Sequence, residues 1–169
     1  MPDAFIQSPD PVPFERLSNW QYHPGDMLPE EVWSTHDSWH DGGRTLIWDD
    51  DVRIVWFREE WTVPRAWAGR ALLLSIEVRN TFSLYVDEQA VTAPHLLSRS
   101  ADPDRTFRLA IRGDRVRRPG MIMRAEIHSF PPEYAAWLDA KGALRAMAPG
   151  RGFLLECWRV HREEPGTDF

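Results

Sequence analysis

Nine consecutive residues, Trp33-Ser34-Thr35-His36-Asp37-Ser38-Trp39-His40-Asp41, gather more chemistry than any other stretch of this chain. His36 and His40 stand four apart, so on a helix they share one face. That is the spacing of a two-histidine metal site. The zinc-protease form places glutamate after the first histidine as general base; here the residue is Asp37, with a shorter arm. His23, Asp26 and Asp41 lie near in the chain as further candidate ligands. The same stretch suits a sugar. Trp33 and Trp39 offer flat faces for the C–H side of a pyranose ring. His36, His40, Asp37 and Asp41 offer hydrogen bonds to hydroxyls. Ligand sites combine apolar walls with a few placed polar groups in this way. The plainer alternatives are histidines on a solvent-facing helix, and Trp33 packed as a core anchor with only Trp39 exposed.

Other acids are candidates of a simpler kind. Asp49-Asp50-Asp51 has the oxygen chemistry of a calcium site. Adjacent residues of an extended chain point in alternate directions, however, so a solvated turn is the competing reading. Glu59 and Glu60 lie in one strand and point to opposite faces. A carboxylate buried on either face would have a raised pKa and could serve as general acid. Glu60, His36 and His40 are the catalytic candidates, set against cross-strand pairing of Glu59, Glu60, Glu77 and Glu126 with Arg58, Arg79 or Arg124. Glycosidic catalysis needs two carboxylates facing one gap, and the sequence alone brings no two together. There is no GxSxG elbow, no phosphate-cradling glycine loop and no dinucleotide fingerprint. Arg115, Arg117 and Arg118 form a basic turn that reads as a solvated loop or a contact for an acidic partner.

These residues need a frame, and the pattern supplies one. Arg53 to Val63 is rich in β-branched and aromatic residues and stops at Pro64. Ala71 to Val78 places Leu72, Leu74, Ile76 and Val78 on one face, and Thr81 to Asp87 does the same with Phe82, Leu84 and Val86. Arg79-Asn80 is the turn between them, and asparagine tolerates the left-handed conformation. Further strands are expected over Arg44 to Trp48, Thr106 to Ile111, Met121 to Phe130 and Phe153 to His161. In the strand from Met121, the residues Met121, Met123, Ala125 and Ile127 are expected on one face. Two short helices are expected, one from Pro29 to Gly42-Gly43 and one from Glu133 to about Met147. Trp137, Leu138, Leu144 and Tyr134 form the apolar side of the second. Residues 1 to 28 hold five of the fourteen prolines and read as an extended arm, anchored by Phe14, Leu17, Trp20 and Tyr22. The expected architecture is all-β, a jelly-roll β-sandwich with two short helices in a single domain over residues 1–169. Its expected core is Leu72, Leu74, Ile76, Phe82, Leu84, Val86, Phe107, Leu109, Ile127 and Leu155.

The same strands carry a resemblance. Phe57-Arg58-Glu59-Glu60-Trp61-Thr62-Val63-Pro64 matches the pattern aromatic-Arg-x-x-aromatic-x-Val-Pro, and a Leu-x-Leu strand and a Tyr-Val strand follow. Phe107-Arg108-Leu109, Pro119-Gly120 and Met121 to Ile127 continue it. The segment from about 53 to 128 resembles the N-terminal, galactose-binding-like sugar-binding domain of family 2 glycoside hydrolases. Asp87-Glu88 stands where that family usually carries Asn-Gly. The resemblance implies a jelly roll with sugar-binding loops gathered at a rim, and a structural calcium in some members.

The totals agree with a globular domain of this sort. The chain has 169 residues, 43% of them hydrophobic, which suits one core. Nine tryptophans serve cores, sugar-stacking surfaces and interfaces alike. A net charge of −6 argues against nucleic acid as partner. The single cysteine, Cys157, excludes an intrachain disulfide and reads as an inert core residue. No apolar run is long enough to span a membrane, and the N-terminal residues lack a signal-peptide pattern, so a cytoplasmic location is expected. The expected function is a carbohydrate-binding or accessory module with no cofactor beyond such a calcium. Its partners would be a sugar or glycoside ligand and a catalytic subunit or further copies of itself. The alternative is a small enzyme acting on a glycoside or aromatic metabolite in a tryptophan-lined pocket.

Overall fold

A computed structural model describes residues 12–34, 38–43, 47–48, 51–116, 119–136 and 138–139. The strands, in chain order, are β1 (Phe14–Arg16), β2 (Trp20–Pro24), β3 (His40–Gly43), β4 (Ile47–Trp48), β5 (Ile54–Thr62), β6 (Ala71–Arg79), β7 (Thr81–Val86), β8 (Gln89–Val91), β9 (His95–Ser98), β10 (Thr106–Asp114) and β11 (Gly120–Phe130). They pair antiparallel into two sheets. One has six strands in the order β3-β2-β5-β10-β7-β8. The other has five, in the order β1-β11-β6-β9, with β4 also on β11. The fold is an all-β, jelly-roll-like sandwich with short 3₁₀ turns.

Alternation along the strands builds the core. Val55, Phe57 and Trp61 of β5 face Leu72, Leu74 and Ile76 of β6 across the gap, joined by Leu84, Phe107, Leu109, Ile111 and Ile127. Phe82 packs against this cluster from its edge. The core residues expected from the sequence therefore meet as one body, apart from Leu155, which lies outside the described residues. Trp48 lies so close to Gly113 and Gly120 that a methyl group on either would collide with its ring, at 2.8 Å and 1.9 Å. Those two glycines are required by close approach.

Turn chemistry sets the hairpins. Asn80 has φ 89° between β6 and β7. Asp87 and Glu88 both adopt positive φ, 47° and 68°, and link β7 to β8 as a two-residue turn with Val86 opposite Gln89. A primed hairpin turn asks for that conformation, and Asn-Gly is its usual sequence. Here two acids accept it.

Several expectations are corrected. Residues 14–16 and 20–24 do not form an arm laid on the domain: β1 pairs with β11 and β2 with β5, so the segment crosses from one sheet to the other. The helix expected up to Gly42-Gly43 is one 3₁₀ turn, Pro29–Glu31, and both glycines belong to β3. Pro29 and two glutamates suit a helix start, but no apolar periodicity follows to propagate it. The register of β11 shifts between Ile122 and Arg124, which inverts its alternation. Ile122 thus packs on the core while Met123 is exposed, contrary to the expected face. A strand that the sequence pattern does not announce, β9, lies between Val91 and Thr106. The second helix begins with a 3₁₀ turn at Pro132–Tyr134, and Tyr134 and Leu138 are buried on the outer side of β6 and β11 with Leu73 and Phe130. Trp137, Leu144, Cys157 and the strand expected at Phe153 to His161 lie outside the described residues. Among the described residues no helix is long and apolar enough to cross a membrane.

Candidate functional site

The even-numbered residues of β5 point away from the core, onto the outer face of the six-stranded sheet. One half of that face is roofed. Trp56 and Ala110 are buried beneath Val32, with Met27, Trp33, Trp39 and Tyr85 packed around them. Asp26 fastens this roof. It accepts two hydrogen bonds from Arg112, at 2.9 and 2.7 Å, and one from the Trp56 indole at 3.3 Å. The Arg112 bonds hold the Asp26 carboxyl at a pKa of about 2, well below its ordinary value.

The other half is open. A cleft of about 590 Å³ is floored by Arg58, Glu60 and Arg108, and walled by Asn19, Gln21, Trp33 and Asp41. Register explains the floor: Glu60 stands opposite Arg108, and Gln21 opposite Arg58. Arg58 donates to the Gln21 side-chain oxygen at 3.0 Å and to the Val32 carbonyl at 2.7 Å. Its guanidinium sits over the Trp39 ring at 4.2 Å and the Trp33 ring at 5.5 Å. Arg108 lies 5.4 Å from the same Trp33 ring and bonds Glu60 at 3.3 Å. Burial pulls the Arg58 pKa below its ordinary value, against the opposing pull of the Glu60 charge.

Glu59 is the exception to the alternation rule. It lies on the core side of β5, is buried, and still reaches the cleft beside Asn19. The Asn19 N–H donates to its Oε2 at 3.1 Å. Burial raises its pKa to about 7 despite that bond and another from the Ser18 backbone. The expectation that one of the two adjacent glutamates turns inward is met by Glu59. Glu60, the catalytic candidate, is the exposed one and is paired with Arg108.

The residues expected at the site are divided by the structure. Trp33 and Asp41 line the cleft, and Trp39 underlies it through Arg58. His40 is one residue from Asp41 in a strand and so points the other way, with its ring 5.2 Å from Tyr22. His40 thus lies in a strand and not on a helix, and His36 and Asp37 lie outside the described residues. Among the described residues there is no group of three or more histidine, cysteine, aspartate or glutamate side chains able to hold a metal. Of the calcium candidates Asp49, Asp50 and Asp51, the first two also lie outside them, and Asp51 is exposed. Arg58, Arg108 and Gln21 were missed as site residues. The signal for Arg58 was present in the alternation, which sets it between Trp56 and Glu60 on one face.

Chemically, the cleft offers an indole ring with two donating guanidiniums over it, and three carboxylates that accept. Donors and acceptors of this kind form hydrogen bonds with hydroxyl groups. For hydrolysis the cleft would need two carboxylates across a gap, whereas Glu60 is engaged with Arg108.

No protein-family model matches the chain, and no curated protein matches it. Solved structures do. A calcium-binding mutant of Bacteroides uniformis beta-glucuronidase 2 superposes over 70% of this chain at 14% identity, with a TM-score of 0.57. A beta-glucuronidase from an uncultured Clostridium species does so over 72% at 12% identity, with a TM-score of 0.56. A glycosyl hydrolase family 2 member from Bacteroides cellulosilyticus covers 69% at 14% identity, with a TM-score of 0.54. The chain spans only 18%, 30% and 20% of these enzymes' lengths. At such identities the likeness is one of fold.

Proposed function

We propose that this chain is a carbohydrate-binding accessory module whose ligand lies in the open cleft on the outer face of the six-stranded sheet. The observation that carries this reading is the Trp33 ring, flanked by Arg58 and Arg108 in an open cleft lined with carboxylates. A stacking ring supplies affinity at little entropic cost, and the charged groups fix hydroxyl positions. The shared fold with parts of glycoside-processing enzymes supports the class of ligand. In this reading the bond-breaking chemistry resides on a catalytic partner, and the module holds the glycoside beside it. The rival reading, a small enzyme, has one observation in its favour: the near-neutral pKa of buried Glu59 at the cleft edge.

Calorimetric titration of wild type and Trp33→Ala against a panel of neutral mono- and oligosaccharides tests the proposal. Binding by the wild type, weakened about tenfold or more in the variant, is the expected result. Equal binding by both removes Trp33 from the site. Turnover of a chromogenic glycoside that is lost in Glu59→Gln would favour the enzyme.

A further inference from the structure

A second hollow adjoins the first. It has a volume of about 640 Å³ and is lined by Glu60, Asp87, Glu88, Thr106 and Arg108. Glu60 and Arg108 belong to both hollows, so the bonded pair marks where one passes into the other. The two lie in sequence along the same strands. Arg58 floors the first, while Thr106 lines the second and hydrogen-bonds Thr62 across β5 and β10 at 2.8 Å. From Arg58 to Thr62 the strand rises about 13 Å, longer than one sugar ring.

The second hollow differs in chemistry. It has no aromatic wall. Asp87 is spent on the fold: its carboxylate accepts from the Arg108 backbone at 3.0 Å and from the Arg105 side chain at 2.9 Å. Glu88 is not. Its carboxylate comes no nearer than 3.9 Å to Arg108 and makes no hydrogen bond among the described residues. A left-handed backbone at Glu88, φ 68°, holds it at the hollow. Three carboxylates against two guanidiniums, Arg108 in the lining and Arg105 on Asp87, leave this hollow net negative, unwelcoming to an anion and suited to accepting bonds from neutral hydroxyls.

Resting on the sugar-binding reading, we infer that the two hollows are consecutive subsites of one groove, which takes an uncharged oligosaccharide with one ring at Trp33 and the next against Glu88. The ring at Trp33 is held by stacking and the ring at Glu88 by hydrogen bonds alone. A monosaccharide fills only the first.

The test is a chain-length series of β-1,4-linked glucose and xylose oligomers, from monosaccharide to tetrasaccharide, titrated calorimetrically. Wild type should gain about tenfold in affinity from monosaccharide to disaccharide and little thereafter. Glu88→Gln should reduce that gain to about threefold or less, and a matching oligomer carrying a carboxylate on its second ring should also lose it. Glu88 is half exposed, so the variant folds. Equal affinity across the series, with Trp33→Ala still weakening it, would overturn the second subsite and leave the sugar-binding reading standing. No binding at any length would overturn both.

Discussion

The outer faces of the two sheets are finished in opposite ways. On the five-stranded sheet, Ala71, Leu73 and Phe130 are closed over by Tyr134, Ala135 and Leu138, all buried. On the six-stranded sheet the roof stops after Trp56 and Ala110, and Arg58, Glu60 and Arg108 floor an open cleft. The closed face removes apolar area from water, the main favourable term in folding. The open face holds charged pairs that are half exposed, and such pairs contribute little to stability. The part of the first face around Phe130 is explained by folding alone. The other face is not, and that asymmetry supports the proposal that the ligand lies there.

Substitution on each face should separate the two roles. Phe130→Ala should cost about 3 to 5 kcal/mol in chemical denaturation, the usual range for a buried ring, and leave sugar binding intact in the folded fraction. Arg108→Gln should cost under about 1 kcal/mol and weaken binding. Similar losses of stability from both would erase the distinction.

A pH-dependent effect sharpens the boundary between core and cleft. Glu59 has a folded pKa of about 7 against an ordinary 4.5, so the folded protein binds a proton that the unfolded chain releases. Its contribution is fully present below about pH 4.5 and is lost as pH rises to about 7. The loss is on the order of 3 kcal/mol. Glu59→Gln should flatten that part of the stability–pH curve and make the variant the more stable protein at pH 8. An unchanged slope would mean that Glu59 is solvated from the cleft.

The sandwich was legible because period-two alternation is local. Leu72, Leu74 and Ile76 declare a strand and its buried face without reference to anything distant. The errors arose where the decisive fact was a partner. β1 and β9 are short and become strands only through pairing with β11 and β6. The shifted register in β11 inverts Met123 and Ile122, and no residue there announces it. Trp33 and Asp41, expected together from their chemistry, line one cleft, whereas His40 lies beside Asp41 in β3 and not on a helix. In a strand, adjacent residues part company. Arg58 and Arg108 carried a fold motif, and their second role appears only once β2, β5 and β10 stand side by side.

The central claim is that the ligand lies on the outer face of the six-stranded sheet. Titrating an isotope-labelled protein with the tightest-binding oligosaccharide, and following amide, indole and guanidinium resonances by NMR, tests it most directly. The account predicts perturbations concentrated at Gln21, the Trp33 indole, Arg58, Arg108 and Glu88, with Leu73 and Phe130 silent. Perturbations clustered around Leu73 and Phe130, or around the His40 side of β3, would contradict it.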